Sequence, residues 1–295
     1  MGTEIQDKKE GDMRKSPRRL MVYAHFSRSG TPAEYVLNGC KAYRPYAADL
    51  LFVSSSPIDT QTRHQFSAVC DEVIQRENAG YDFCSWKEAL KTIDDLGAYD
   101  EIILTNDSVI GPLSDPGPAL RRLSAHGDPV CGLTLNWQYG RHAQSYFIRY
   151  RSDVVSSGAF LEFWEQVTAL ERKLDIVLSY EVGLTKFMEA RGHSVGALLA
   201  LPELNPLINR IPLCLRAARW QEPLRTALAW RHLLREPRTN PVHHLWRELL
   251  DDGLPFVKKE LLRDNPLYAN RRAVLAEISK RYEIPPDIML EYANA

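Results

Sequence analysis

This sequence lacks an excess of charge of either sign. Its 295 residues contain 37 lysines and arginines against 38 aspartates and glutamates, which gives a formal net charge of -1 at pH 7. A chain without excess positive charge has no general attraction for nucleic acid or for an anionic membrane. We therefore expect no nucleic-acid partner, and any membrane contact would depend on a local basic patch.

Cysteine patterns and long apolar runs are missing as well. The five cysteines include no CxxC pair and no metal-like spacing, which indicates reduced thiols in a cytoplasmic protein. No apolar run approaches the roughly 20 residues that span a bilayer. Residues 1–18, MGTEIQDKKEGDMRKSPR, lack the apolar centre of a signal peptide, and we interpret them as a disordered leader.

Several common catalytic signatures are also absent. No glycine-rich dinucleotide fingerprint follows the first predicted strand, and the sequence has no GxxxxGK[ST] phosphate loop. It has no GxSxG nucleophile turn either. These absences argue against a dehydrogenase, an NTPase and an α/β-hydrolase.

Short apolar segments do alternate with segments of helical spacing. The first four apolar segments are RLMVYAHF, DLLFVSSS, EVIQREN and DEIILTND. Such alternation is typical of βαβ units around a mostly parallel sheet flanked by helices. We predict an α/β domain over residues 19–201 and a mainly helical region, rich in proline, over residues 202–295. Within the first, GAFLEFWEQVTALERKL is predicted to form one long helical stretch.

Small polar residues follow the predicted strands at the points where the strands end. His25, a candidate substrate-binding residue, ends the first, three serines end the second, and Asn106-Asp107-Ser108 ends the fourth. Ligands of open parallel sheets bind at the carboxyl ends of the strands, where loops converge. Serines are usual in turns, so we assign function to the Asn106-Asp107-Ser108 tip rather than to the serines of the second strand.

Asp107 is the candidate metal ligand. Mg²⁺ and Mn²⁺ prefer oxygen ligands and commonly take one or two carboxylates together with substrate phosphates. The following Gly111-Pro112 pair predicts a turn that carries the chain away and leaves the tip open.

Several segments resemble the rhamnan synthesis protein F family of bacterial envelope-polysaccharide proteins, which are regarded as glycosyltransferases. They occur in the order RENAGYDFCSWKEAL, LTNDSVIGPL, QSYFIRY, FWEQV and YEVGLTKFMEARG. The later NPVHHLWRELLDDGLPFVKKELLRDNP resembles a segment that often accompanies such domains. The resemblance covers roughly residues 19–270.

The resemblance implies a GT-A-like nucleotide-binding fold and a nucleotide-sugar donor. It also implies a short acidic motif after the fourth strand that holds a divalent cation, Mg²⁺ or Mn²⁺, on the diphosphate. Asn106-Asp107-Ser108 occupies that place, and Asn106 and Ser108 would contact substrate. The usual motif has two acids, whereas only Asp107 is acidic here, so the metal dependence stays open.

Glu181 is the candidate general base. YEVGLTKFMEARG resembles the acid-bearing helix that supplies the base in many inverting GT-A enzymes, and an attacking hydroxyl must lose its proton. The alternative is that Glu181 begins a helix, where the helix dipole favours an acid. Both interpretations stay open at this point.

Further substrate contacts follow from the resemblance. Asn78 and Asp82 could contact base, ribose or phosphate, and Gly80 would let the backbone approach the ligand. The alternative is an Asx turn before a helix that Asp82 caps. Gln144 matches the QSYF pattern of the family and would bind sugar hydroxyls.

The predicted C-terminal region contains two basic stretches. Arginines at 216, 219, 225, 231 and 235 alternate with tryptophan and leucine, which would suit the anionic inner leaflet or form a solvated helix face. Lys258, Lys259 and Arg263 are predicted to lie along one side of a helix. They could bind phosphate, or form salt bridges with Glu260 and Asp264.

Together these features predict a glycosyltransferase that inverts the sugar configuration. It would move a sugar, with rhamnose or another deoxyhexose as the candidate, from a nucleotide diphosphate donor to a growing lipid-linked glycan. The reaction would take place in the cytoplasm, at the inner face of the membrane. Two alternatives stay open: a non-catalytic GT-A-like scaffold that binds glycan or nucleotide, and another α/β enzyme that acts on nucleotides.

Overall fold

The computed structural model describes residues 16–27, 30–199, 227, 240–265 and 270–294. The strands of this part of the chain are β1 Arg19–His25, β2 Asp49–Ser54, β3 Glu72–Gln75, β4 Glu101–Asn106, β5 Val109–Ile110, β6 Val130–Asn136, β7 His142–Ala143, β8 Phe147–Arg151, β9 Val195–Leu199 and β10 Val257–Lys258.

Helices cover both faces of the main sheet. They are α1 Glu34–Tyr43, α2 Thr60–Ser67, α3 Tyr81–Leu90, α4 Gly117–Ala125, α5 Ser152–Ser156, α6 Ala159–Gln166, α7 Lys173–Ile176, α8 Val182–Ala190, α9 Pro241–His244, α10 Trp246–Asp251, α11 Lys259–Arg263, α12 Arg271–Tyr282 and α13 Pro286–Asn294.

The main sheet has eight strands. Seven follow the order β3-β2-β1-β4-β8-β6-β7, and β9 pairs with β6 outside that path. The β3-β2-β1-β4 half is entirely parallel, whereas β8 runs antiparallel to both β4 and β6. The carboxyl ends of β1 to β4 therefore meet at one border of the sheet, which we call the carboxyl edge.

Two hydrophobic cores lie on opposite faces of this sheet. Along β1, Met21 and Tyr23 belong to one core, and Leu20 and Val22 belong to the other. This distribution follows from the alternation of side chains along a strand. A strand that is buried on both faces must be apolar throughout, which explains the continuous apolar run of β1.

The C-terminal helices pack on the first of these cores. Trp246 and Tyr292 are buried with residues of α1 and α2, and the rings of Tyr35 and Tyr292 lie 5.1 Å apart. A second, two-stranded antiparallel sheet joins β10 to β5. Its formation brings the lysines of the C-terminal region to the carboxyl edge.

The structure confirms the predicted fold class, a mostly parallel α/β sheet flanked by helices. The described residues beyond 239 are mainly helical, as predicted. The boundary near residue 201 stays a prediction, because it adjoins residues outside the described ranges. The leader up to residue 15 and the five arginines at 216–235 also lie outside those ranges. Among the described residues, no helix is long and apolar enough to cross a bilayer.

One predicted helix is interrupted. The segment GAFLEFWEQVTALERKL does not form one helix, since α6 ends at Gln166 and α7 begins at Lys173. Lys87 Nζ donates hydrogen bonds to the carbonyl oxygens of Glu165 and Val167, at 2.9 Å and 2.7 Å. These tertiary contacts satisfy backbone groups where the helix stops, which no local pattern signals.

Candidate active site

The tip of β4 contacts helices on opposite faces of the sheet. Asn106 Nδ2 donates to Asp82 Oδ2 of α3 at 2.8 Å. On the other face, the Asp107 carbonyl oxygen accepts a hydrogen bond from the Tyr35 hydroxyl of α1 at 3.1 Å. Asn106 therefore contacts the helix on one face of the sheet, and Asp107 contacts the helix on the other face.

The Asp107 carboxylate is buried and paired. Lys259 Nζ lies 3.0 Å from Asp107 Oδ2, and the two side chains are only 8% and 9% exposed. The Phe26 peptide N–H donates to Asp107 Oδ1 at 3.3 Å. A carboxylate buried next to an apolar core requires such partners, because an isolated buried charge is strongly unfavourable.

A hydrogen-bonded chain runs along the other side of the tip. Asn106, which donates to Asp82, accepts at Oδ1 from the Ser108 hydroxyl at 2.6 Å and from its peptide N–H at 3.1 Å. Ser108 Oγ in turn accepts from Lys258 Nζ at 2.8 Å. Asp82, Ser108 and Lys258 are half-buried, so this chain reaches solvent at the carboxyl edge.

The charges of these groups influence one another. Burial and, to a smaller extent, the nearby Asp107 carboxylate together raise the pKa of Asp82 to about 7, against the opposing effect of Lys258. Burial lowers the pKa of Lys258, whereas the carboxylates of Glu260 and Glu181 raise it. A carboxyl group that titrates near neutral pH at a ligand-binding edge is typical of functional sites.

Glu181 lies inside a helix rather than at its start. The helical run is continuous from α7 through a π-helical turn, Val177–Glu181, into α8. The expectation that Glu181 begins a helix is therefore wrong, and the helix-dipole explanation loses its basis. Single π-turns occur frequently at functional sites.

The Glu181 carboxylate has defined partners. Its Oε1 accepts from the Ser145 hydroxyl at 2.6 Å and from the Ser145 peptide N–H at 3.1 Å. Its charge also raises the pKa of Asp82, which places Glu181 in the same group of charges as the tip. The structure thus brings together Asp82, the Asn106–Ser108 tip and Glu181.

Two other candidates are buried beneath this edge. His25 Nδ1 lies 3.0 Å from Ser54 Oγ, and burial lowers the pKa of the imidazole. Gln144 Oε1 accepts from the Thr134 hydroxyl at 2.8 Å, and Gln144 Nε2 donates to Asn240 Oδ1 at 3.3 Å. These contacts tie neighbouring segments to one another, and the substrate roles of His25 and Gln144 stay predictions.

The RENAGYD loop contributes an exposed Asn78 and a glycine that no other residue could replace. Gly80 has φ 73°, and a Cβ there would lie 2.3 Å from Cys84 Sγ and 2.8 Å from Ala169 Cα. The packing of α3 therefore requires glycine at this position. The substrate roles of Asn78 and Gly80 stay predictions.

The donor set at Asp107 does not fit a divalent cation. Asp107 would have to hold the ion as a single carboxylate together with substrate phosphates, since among the described residues no group of three or more histidine, cysteine, aspartate or glutamate side chains could hold a metal ion by itself. A cation on Asp107 would also meet the Lys259 ammonium, 3.0 Å from Oδ2, in surroundings that screen charge poorly. The metal assignment of Asp107 stays a prediction for binding measurements to decide.

The sequence interpretation misplaced the two lysines. Lys258 lies in β10 and Lys259 begins α11, so the predicted single helix face of Lys258, Lys259 and Arg263 is wrong. Arg263 pairs with Asp264 on the surface. The available signal was LPFV, in which an apolar run after proline is compatible with a short strand.

The fold and this edge define an α/β protein with a charged, hydrogen-bonding site at the ends of its parallel strands. The chain belongs to the rhamnan synthesis protein F family, whose model matches residues 50–206. The match lies within the broader span, about residues 19–270, over which the motifs show the resemblance.

Two curated proteins are similar in sequence. The uncharacterized protein y4gN of Sinorhizobium fredii is 26% identical over 156 residues, which cover 51% of this chain and 41% of that protein. The virulence protein VirA of Vibrio anguillarum is 29% identical over 203 residues, which cover 67% of this chain and 64% of that protein. The chain thus spans less than two thirds of the length of either relative.

Two solved structures show a distant likeness. The mannosyltransferase PcManGT of Pyrobaculum calidifontis, in complex with GDP-Man and Mn²⁺, is 11% identical with a TM-score of 0.41, covering 95% of this chain and 74% of that one. TarS residues 1–349 of S. aureus, in complex with UDP-GlcNAc, is 12% identical with a TM-score of 0.40, covering 93% and 90%.

Proposed function

We propose that this chain is a glycosyltransferase that moves a sugar from a nucleoside diphosphate donor to a growing glycan of an envelope polysaccharide. Membership of the rhamnan synthesis protein F family supports the polysaccharide role. The observation that carries the proposal is the group of Asp82, Lys258, Glu181 and the Asn106–Ser108 tip at the carboxyl edge. Rhamnose or another deoxyhexose is the proposed sugar, and a lipid-linked glycan is the proposed acceptor.

The tip is the proposed diphosphate site. The leaving nucleoside diphosphate gains negative charge as the bond to the sugar breaks, so positive charge and hydrogen-bond donors must face it. Ser108 and Lys258 supply such groups where the chain reaches solvent. Asp107 would order this site, and Asp82 with Asn78 would contact the rest of the donor.

Glu181 is the proposed general base. It would take the proton of the attacking acceptor hydroxyl, on the side of the sugar opposite the leaving group, as inversion requires. Its two hydrogen bonds from Ser145 hold the carboxylate in one orientation.

Transfer from UDP-, GDP- and dTDP-sugars tests the proposal, measured as release of the nucleoside diphosphate. Glu181→Gln should reduce turnover by about a hundredfold or more, because the amide cannot accept the proton. Donor affinity should stay within about threefold, since the change preserves shape and hydrogen bonding.

Glu189→Gln is the matched control, since Glu189 lies on α8 and pairs with Arg141 at the surface. Turnover of Glu181→Gln near the wild-type rate would remove Glu181 from the mechanism. Donor binding without any release above the blank would favour the alternative of a non-catalytic scaffold.

A further inference from the structure

Two consecutive lysines from a distant part of the chain reach consecutive residues of the β4 tip. Lys258 Nζ donates to Ser108 Oγ at 2.8 Å, and Lys259 Nζ donates to Asp107 Oδ2 at 3.0 Å. The Lys259 peptide N–H also donates to the Ser108 carbonyl oxygen at 3.1 Å. Three contacts thus fix the lysine segment, Val257–Arg263, against the tip.

The backbone holds this segment in register. Val257 pairs with Ile110 and Lys258 with Val109 in the β10–β5 ladder. Next to the ladder, a Cβ on Gly111 would lie 2.6 Å from the Pro255 carbonyl oxygen, so only glycine permits this close approach. The lysine positions are therefore set by main-chain pairing as well as by charge.

The two ammonium groups differ in how their charge is balanced. Lys259 is buried in an ion pair with Asp107, so its charge is neutralised. Lys258 is half-buried, and its hydrogen-bond partner Ser108 is an uncharged hydroxyl. Nearby carboxylates, chiefly Glu260, influence this charge only from farther away, since within the described ranges no carboxylate oxygen lies within 4.0 Å of the Lys258 ammonium. An ammonium has three N–H donors, of which Ser108 takes one.

We propose that Lys258 supplies the positive charge that holds the donor diphosphate, in place of a divalent cation. The Asp107–Lys259 ion pair then acts as a positioning element that fastens the lysine segment to the tip. This inference rests on the proposed function and adds the group that binds the diphosphate. It also explains why Asp107 faces an ammonium rather than an open space.

Titration calorimetry with UDP, GDP, dTDP and inorganic pyrophosphate tests the inference, with each probe run in EDTA and again in MnCl₂. Wild-type protein should bind a diphosphate about equally well in both buffers. Lys258→Met should weaken that binding about tenfold or more, because it removes a charge-assisted hydrogen bond but keeps the apolar stem. Lys258→Arg should stay within about threefold, because it preserves the charge.

Lys280→Met on α12 is the control, since Lys280 belongs to the same C-terminal region and is exposed. Unchanged thermal unfolding of Lys258→Met would show that the loss of binding does not reflect misfolding. Binding only in MnCl₂, or binding that Lys258→Met leaves intact, would overturn this inference and leave the proposed function standing. No binding of any probe in either buffer would overturn both.

Discussion

A buried acid lies at each end of β4, and the two acids are neutralised by different positive partners. At the amino end, Glu101 is buried between Arg19 and Arg149. At the carboxyl end, Asp107 is buried against Lys259. Both acids lie beside an apolar core, so both need a positive partner.

At the amino end, most of the arginine donors bond to protein acceptors, and Arg149 Nε, which is fully buried, has no hydrogen-bond partner among the described residues. Arg19 Nε lies 2.7 Å from Glu101 Oε2. Arg149 donates to the carbonyl oxygens of Pro129 and Leu123, at 3.0 Å and 2.6 Å. A buried charge cluster whose donors end on backbone carbonyls has little capacity left for a ligand. We interpret this end as structural.

At the carboxyl end, both positive groups come from the lysine segment; Lys259 is buried with Asp107, whereas Lys258 remains partly exposed. Ser108 and Lys258 are half-buried, whereas Arg149 is fully buried. The comparison shows that burial of an acid alone does not mark a functional site. The feature that distinguishes the carboxyl end, where we propose the active site, is a charged group beside the buried pair that still meets solvent.

The largest loss of stability is expected from Glu101→Gln. The change leaves Arg19 and Arg149 buried without their counter-charge, and arginine cannot escape by losing its proton. We expect the free energy of unfolding in urea to fall by about 3–5 kcal/mol. Glu88→Gln, which breaks an exposed pair with Lys91, is the control and should change stability by less than about 1 kcal/mol. A loss at Glu101 as small as the control would contradict the structural interpretation.

Asp107→Asn should have a smaller effect on stability, about 2–3 kcal/mol. Lys259 loses its counter-charge, but lysine can shed its proton or move its flexible stem towards solvent. Diphosphate affinity should fall equally in EDTA and in MnCl₂, because the lysine segment is no longer fastened to the tip. A fall in MnCl₂ alone would instead restore Asp107 as a metal ligand. Equal affinities for both proteins would leave Asp107 as a simple turn residue.

The smallest expected effect is a pH-dependent gain from Asp82→Asn. The folded protein raises the Asp82 pKa to about 7, whereas the unfolded chain ionises this group near pH 4, about its ordinary value. Between these values the folded state binds the extra proton, so Asp82 lowers stability as the pH rises. Asparagine removes this penalty and can still accept the hydrogen bond from Asn106.

Urea unfolding at pH 4 and pH 8 measures this difference. The substitution should stabilise the protein by about 1–2 kcal/mol at pH 8 and by little at pH 4, since part of the side chain remains exposed to solvent. Asp94→Asn, at an exposed position, should show no such pH dependence. A gain of equal size at both pH values would mean that the effect is not due to ionisation.

Local pattern was sufficient to locate the sheet and its polar edge. Apolar runs marked β1, β2 and β4, and the polar residues after them lie at the carboxyl edge. These features depend on neighbours in sequence, because strand length and alternation are local properties. The tip is also recognisable from local sequence, since Asn106, Asp107 and Ser108 directly follow an apolar run.

The local sequence pattern did not predict the helix boundaries near the site. The helix end at Gln166 depends on Lys87, and the setting of Glu181 depends on a π-turn within a longer helix. At both places a side chain bonds to a segment far away in the chain: Lys87 to Val167, and Glu181 to Ser145. A single sequence does not show which distant groups satisfy a given backbone position.

The amino-acid sequence by itself therefore determined an α/β sheet whose fourth strand ends on an amide, an acid and a hydroxyl. Only the tertiary structure decided what those three groups face. Lys258 and Lys259 reach the tip because β10 pairs with β5, across about 150 residues of chain. Strand pairing over such a distance is selected by the packing of the whole core, and that packing placed an ammonium where local pattern had suggested a metal ion.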